Sequence, residues 1–291
     1  MYQNLVKKVA AIHDMSGVGR VSLTAVIPVL SAMGIQTCPL PTALLSSHTQ
    51  YPSFSFLDLT DNMVEMIREW KKLDVRFDAI YSGFLGSTRQ IDIVEKFILD
   101  FRRAEDTLVV VDPVLGDNGR LYATFDDTMV EGMRRLVRSA DVITPNLTEA
   151  YALLGKAYQT SLTEEELKSL LRELSKLGPK TVIITSVPLP GDETHTSVCA
   201  YSTETDRFWR VTCQYMPAHY PGTGDTFTSV LTGALLQGDS LPMAIDRAAQ
   251  FILQGIRSTF GYRYDAKEGV LLERVLPSLS EPLKNSTYEW F

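Results

Sequence analysis

The sequence predicts a three-layer αβα domain with a mostly parallel central sheet, an antiparallel hairpin at the sheet edge and no separate lid domain. Three observations carry this. Short aliphatic runs such as Leu108 to Val111 and Thr181 to Thr185 lack polar alternation, the pattern of strands buried on both faces. Amphipathic stretches of ten or more residues separate them, as parallel crossovers require. The pattern changes once, at residues 195–213, where two β-rich runs are joined by a short polar link.

In chain order, Val9 to Ile12 is the first strand, and the Gly-bearing turn Asp14 to Gly19 follows it. Ser22 to Met33 reads as a helix with Leu23, Val26, Ile27 and Leu30 as its apolar positions and Gly34 as its stop. Gln36 to Leu40 is a second short strand. Residues 41–60, rich in Ser, Thr, Pro and aromatics, have no period and are expected as loop or edge structure. Asp61 to Lys72 (helix), Ala79 to Ser82 (strand), Ile91 to Arg103 (helix) and Leu108 to Val111 (strand) then alternate regularly. Met129 to Arg138 is helical, Val142 to Thr144 a strand, Glu164 to Lys176 helical and Thr181 to Thr185 a strand. The hairpin pairs His195 to Tyr201 with Phe208 to Thr212, and helices resume at Asp225 to Leu236 and Pro242 to Ser258. No repeat, low-complexity tract or long linker divides the chain, so residues 1–291 are expected to be one domain.

Composition bounds the function. A hydrophobic fraction of 45% with 22% charged residues suits a soluble globular enzyme. A formal net charge of −7 gives no global field for nucleic acid or anionic lipid, so neither is expected as a partner. Cys38, Cys199 and Cys213 are widely spaced and offer no disulfide framework or zinc pair. The stretch Met1 to Lys8 lacks a leader's apolar core, and no apolar run reaches membrane-spanning length. The expectation is a reduced, cytoplasmic protein.

The chemistry concentrates at Pro221-Gly222-Thr223-Gly224-Asp225-Thr226-Phe227. Two glycines allow close backbone approach, and the following helix leaves its first N–H groups open to an anion such as a phosphoryl group. Asp225 in the same turn can take the proton of a bound alcohol. By spacing alone, an ordinary Asp cap after a Gly turn fits somewhat better, since short Gly motifs recur by chance. Asp112 and Asp117 follow one buried strand and Glu149 follows the Thr144-Pro145-Asn146 turn of the next. Ligands of open parallel sheets bind beyond the strands' carboxyl ends, so these carboxylates should share a cleft with Asp225. Carboxylates facing phosphates need Mg²⁺ between them. Asp117-Asn118-Gly119 also reads as a plain tight turn. No P-loop occurs. Asp14 to Gly19 suggests a dinucleotide fingerprint, but Ser22 holds the third glycine position. His48, among hydroxyl residues, reads as a structural histidine, and His13, His195 and His219 lack zinc spacing.

Gly222-Thr223-Gly224-Asp225 resembles the signature of the ribokinase-like sugar and vitamin kinases. Three further blocks resemble the pyridoxal kinase branch: Asp112-Pro113-Val114-Leu115-Gly116-Asp117 with Gly119 and Tyr122 downstream, Thr144-Pro145-Asn146-Leu147-Thr148-Glu149-Ala150, and Ser47-His48-Thr49-Gln50-Tyr51. The resemblance spans roughly residues 8–260, with the blocks in family order. It implies an ATP-dependent kinase acting on the 5′-hydroxymethyl group of a vitamin B6 vitamer. Asp225 would be the base, with Gly222, Thr223 and Gly224 holding the transferring phosphoryl. Asp14, Ser16, Ser47, Thr49 and Phe84 would surround the vitamer. Asp112, Asp117, Tyr122, Thr144, Asn146, Glu149, Thr185, Ser186 and Thr223 would bind ATP, with Asp117 and Glu149 meeting Mg²⁺ directly or through water. Activation by K⁺ and a homodimer are implied too. Phe84 stands where many such kinases carry Tyr, and Asp14 where they often carry Ser.

Three rivals share the fold. A hydroxymethylpyrimidine kinase of thiamine synthesis often has Cys at the position of Asp225. A non-catalytic vitamer-binding protein has no use for Asp112, Asp117, Glu149 and Asp225 together. A sugar kinase needs a β lid, for which residues 41–60 are too short.

Overall fold

A computed structural model of the chain describes residues 5–103, 107–123, 125–281 and 286–291; the first four residues of the N-terminal stretch read above for a leader lie outside them. The strands of the first half are β1 (Lys8–Ser16), β2 (Gln36–Leu45), β3 (Phe56–Asp58), β4 (Ala79–Ser82) and β5 (Leu108–Val111). A small ribbon of β6 (Gly116–Asp117) and β7 (Arg120–Leu121) comes next, then β8 (Val142–Ile143). The last strands are β9 (Thr181–Leu189), β10 (Asp192–Ser202), β11 (Arg207–Gln214) and β12 (Tyr288–Trp290). Among the described residues the main sheet runs β12-β11-β10-β9-β8-β5-β4-β1-β2-β3. The stretch β9-β8-β5-β4-β1-β2 is parallel, and both flanks are antiparallel.

The strands lack polar alternation because both of their faces are covered. Ile12, Ile80, Val109, Val111 and Val182 join one core. It is filled by α2 (Thr60–Lys72), α3 (Thr88–Phe101), α4 (Asp127–Val137), α5 (Leu147–Leu154) and α6 (Glu164–Ser175), through residues such as Met63, Phe97, Met133, Leu153 and Leu171. Val9, Ala11, Tyr81, Val110 and Ile183 join the opposite core, with α1 (Ser22–Ala32), α7 (Thr223–Leu236) and α8 (Leu241–Thr259). Burying one Leu- or Val-sized side chain contributes roughly 1.5–3 kcal/mol, so these two layers hold the sheet. No described helix is long and apolar enough to cross a membrane.

Four local expectations are corrected. β1 continues to Ser16, so Asp14 and Ser16 lie within the strand rather than in a turn; its pairing with β2 shifts register between His13 and Met15. β2 runs on to Leu45 and β3 pairs with it, so part of 41–60 is strand, formed by pairing that local composition does not encode. The predicted hairpin is not the outermost element, because β12 pairs with β11 through Trp209, Arg210 and Val211. Finally, α5 and the helical turns Ala266–Glu268, α9 (Leu272–Val275) and Leu276–Ser280 had no counterpart in the sequence reading.

Candidate active site

The carboxyl ends of β1, β4, β5 and β8 converge on the first turn of α7. Gly222 caps that helix in the left-handed region, at φ 79°. A Cβ there would collide with the Arg20 carbonyl oxygen and stand 3.1 Å from Val21 Cα, so the loop before α1 packs directly on bare backbone. No side chain caps α7. Its first internal bond runs from Thr226 N–H to the Gly222 carbonyl at 3.0 Å, leaving the preceding N–H groups at the positive end of the helix for a ligand.

Asp225 stands in this turn with its side chain 15% exposed. Its Oδ2 accepts the Ser22 N–H at 2.8 Å, while the Ser22 hydroxyl donates to Asp14 Oδ1 at 2.6 Å. Ser22 itself holds a left-handed φ of 47°, strain that persists because both bonds demand it. Asp14 Oδ2 accepts the Ser16 hydroxyl at 3.3 Å. Burial pushes the Asp14 carboxyl up; the Ser22 bond opposes this and the Asp225 charge adds to it. Asp14, Ser16 and Asp225, far apart in sequence, are thus brought together, and Ser22 joins them.

Across the cleft lies Asp112, buried at the end of β5; a Cβ on Gly224 would stand 3.9 Å from its Oδ2. Burial drives its carboxyl well up, and the charges of Glu149 and Asp225 add to that, while the Thr144 and Thr228 hydroxyls counteract it. Those two hydroxyl oxygens lie 3.0 Å apart. Glu149 Oε2 accepts the Asn146 N–H at 2.8 Å and Oε1 accepts the Leu115 N–H at 3.1 Å. In return Asn146 Oδ1 accepts the Glu149 N–H at 3.0 Å and Nδ2 donates to the Gly116 carbonyl at 2.8 Å. Glu149 and Asn146 therefore form a capping box for α5 that also fixes the β5–β6 loop. Asp117 sits half-buried in the β6–β7 ribbon and accepts the Asn118 N–H at 2.8 Å, as the tight-turn reading anticipated. Tyr122 is exposed nearby. Thr185 bridges to Asn146, and exposed Ser186 has a left-handed φ of 56°.

This carboxylate set suits a divalent cation carried in by phosphates. Asp112 and Glu149 are buried acids whose charged forms are penalised. Among the described residues, no three His, Cys, Asp or Glu side chains form a ready metal cage. Mg²⁺ takes few protein oxygens and keeps waters, and Asp117 lies close enough to Glu149 for its charge to act on that carboxyl, so this pair is a donor set that would fit it.

Burial, opposed by the N–H bonds of Asn146, Leu115 and Gly116, raises the Glu149 carboxyl from 4.5 to about 8. The folded state thus holds a proton that the unfolded state releases between those values. Stability should therefore fall as pH rises through that window. Thermal unfolding of the nucleotide-free protein from about pH 5 to about pH 9 should show this fall, and Glu149→Gln should make it shallower, leaving the share of Asp14 and Asp112. An equal slope in both proteins would refute the assignment.

The expected vitamer side is less closely knit. The Phe84 ring stacks on Phe125 at 5.6 Å with planes 16° apart, and Tyr122 meets Phe125 edge-on at 6.1 Å. Ser47 and Thr49 lie on the loop after β2. Thr49 is exposed and makes no hydrogen bond among the described residues, so it is not joined to Asp14 or Ser16. His48 is structural: buried, with Nε2 2.6 Å from the Lys267 carbonyl and its ring edge-on to Tyr51 at 4.8 Å.

Sequence reasoning missed Ser22, Tyr81, Thr228 and Arg20. Tyr81 donates its hydroxyl to the Asp225 carbonyl at 3.3 Å. Arg20 fastens the loop before α1 to Glu273 at 2.8 Å and to the Tyr264 hydroxyl at 2.6 Å. Thr228 had a signal, since Thr228, Ser229 and Thr232 put buried hydroxyls in an otherwise apolar helix. Ser22 had none, because the N–H that holds Asp225 belongs to its backbone and its hydroxyl meets Asp14 only in the fold.

The family model described as Phosphomethylpyrimidine kinase matches residues 22–269. A Bacteroides thetaiotaomicron protein provisionally named a phosphomethylpyrimidine kinase, crystallised in an orthorhombic form with pyridoxal, is 65% identical; the match covers 98% of this chain and 100% of that one, with a TM-score of 0.95. Pyridoxal kinase from Lactobacillus plantarum is 32% identical over 95% of this chain and 97% of its own, with a TM-score of 0.86. A Caenorhabditis elegans relative, provisionally named a pyridoxal kinase, is 31% identical over 224 residues, 75% of this chain and 68% of the relative.

Proposed function

This chain belongs to the phosphomethylpyrimidine kinase family and, within that ribokinase-like superfamily, to the pyridoxal kinases, and from that premise we propose that it transfers the γ-phosphoryl group of ATP to the 5′-hydroxymethyl group of a vitamin B6 vitamer, regenerating pyridoxal 5′-phosphate in salvage. The observation that carries the reading is the placement of Asp225: a carboxylate at the uncapped start of α7, tied through Ser22 to Asp14 on one side and facing buried Asp112 on the other.

In this reading the vitamer's alcohol lies against Asp225, which accepts its proton as the oxygen attacks the γ-phosphorus and the bond to ADP breaks. The N–H groups of the Gly222–Gly224 turn receive the charge on the transferring phosphoryl. Mg²⁺, held by Asp117 and Glu149 directly or through water, would neutralise the phosphates. Asp112, Tyr122, Thr144, Asn146, Thr185, Ser186 and Thr223 form the nucleotide side; Asp14, Ser16, Ser47, Thr49 and Phe84 form the vitamer side. A flat pyridine needs one stacking face and a few convergent polar groups, which Phe84 and Asp14 supply. The same reading carries a single catalytic domain, a homodimer, a cytoplasmic setting and K⁺ activation.

ATP consumption measured with pyridoxal, pyridoxine, pyridoxamine and hydroxymethylpyrimidine tests this directly. Turnover with a vitamer is the expected result. Turnover with hydroxymethylpyrimidine alone would move the chain to the thiamine branch, as the matching family's description allows. Vitamer binding without ATP consumption would make it a binder.

Glu149→Gln and Asp117→Asn should each raise the Mg²⁺ concentration for half-maximal rate by about 10–100-fold, with much smaller changes in vitamer KM. A collapse of vitamer affinity at unchanged Mg²⁺ dependence would put these residues at the wrong end of the cleft.

A further inference from the structure

His13 stands outside the hydrogen-bond network that joins Asp14, Ser22 and Asp225. It is fully buried on β1, beside Asp14, and neither ring nitrogen has a hydrogen-bond partner among the described residues. An imidazole left unpaired in a dry interior costs free energy that Leu or Met at the same position would not. Yet its surroundings are built for it. Its ring stands edge-on to Tyr81, with centroids 4.4 Å apart and planes at 78°. Residue 83 is Gly, and a Cβ there would collide with the His13 ring. Nδ1 lies 3.7 Å from Asp225 Oδ1, the oxygen that Ser22 does not hold. Tyr81 is the shared wall, since its hydroxyl also reaches the Asp225 carbonyl.

We infer that His13 is a positioning residue for the base: its Nδ1–H closes onto Asp225 Oδ1 when substrate fills the cleft. Asp225 is then gripped on both oxygens, by the Ser22 N–H and by the imidazole, and its remaining lone pairs are aimed at the alcohol. Hydrogen bonds of a catalytic group often tighten only in the reactive complex, so an Nδ1 at 3.7 Å is within reach of this bond. The bond requires the imidazole's proton on Nδ1, because a carboxylate oxygen can only accept. The alcohol's proton goes to Asp225, and His13 neither gains nor loses one. This inference rests on the kinase reading above.

The side chain of Asn places an amide near the position of Nδ1, and that of Gln near Nε2. His13→Leu and His13→Gln should lower kcat by about 10–100-fold with little change in either KM, while His13→Asn should recover most of the loss. A packing role would instead make kcat follow thermal stability, with Asn no better than Gln; that result overturns the inference. Should the Leu variant fail to fold, the Asn and Gln pair decides alone. Imidazole ¹⁵N NMR gives a readout independent of turnover. A protonated Nδ1 in wild type, shifted in Asp225→Asn, is expected, and a proton on Nε2 refutes the inference even if the protein is an active kinase. A wild type that turns over no vitamer would instead bring down the kinase reading.

Discussion

Asp225→Asn is expected to lower turnover by about 10²–10⁴-fold, the usual worth of a general base, while ATP affinity stays close to wild type. The amide has the shape of the carboxylate and keeps an oxygen for the Ser22 N–H, so the turn should hold its form. What disappears is the acceptor for the alcohol's proton. The open N–H groups at the start of α7 remain, so the phosphate site survives. Steady-state kinetics combined with calorimetric nucleotide titration separate the two effects. Turnover near the wild-type value would mean that the alcohol loses its proton elsewhere, and the assignment of the base would fall.

Gly222→Ala should be nearly as damaging, by another route. An Ala at φ 79° carries a backbone cost of about 1–3 kcal/mol, and its methyl group would strike the Arg20 carbonyl. The loop from Arg20 to Ser22 would have to move, and that loop delivers the N–H that holds Asp225. A displacement of even ~1 Å at a reacting group can cost about 10²-fold in rate. Both a lower melting temperature and a kcat loss of that order are therefore expected. Unchanged stability would show that the loop has slack, and the argument for this glycine would fail.

Much of the fold could be read in the chain because its strands are apolar on both faces. Leu108 to Val111 and Thr181 to Thr185 have few alternatives to a covered parallel sheet. The reading failed where chemistry overrides pattern. Asp14 and Ser16 look like a turn because they are polar, yet β1 carries them as strand residues into the cleft. β2 holds Pro39 and Pro41, which argue locally against a strand, but it lies next to the edge and is completed by β3. The start of α5 was legible: Asn146 followed three residues later by Glu149 is a capping box, and it was read only for its ligand chemistry. The Gly222–Asp225 turn and the strand-end carboxylates were singled out by residue type and strand-end position, and the fold sets Asp112, Glu149 and Asp225 near one another. Ser22 and His13 were not singled out, since Ser22 holds Asp225 through its backbone and His13 meets Tyr81 and Asp225 only once β4 and α7 are in place.

Ser22 meets Asp225 across 203 residues of chain, and Arg20 meets Glu273 across 253. Contacts that distant form late, after the entropy of closing a long loop has been overcome. On the ribosome, β1 and α1 emerge well before α7, with Ser22 unanchored until that helix follows. Docking of α7 then fills the core that it shares with α1 and closes the cleft in one event. A chain made only as far as β11 thus has no Asp225 for Ser22 to hold, and the cleft is assembled only once α7 has followed.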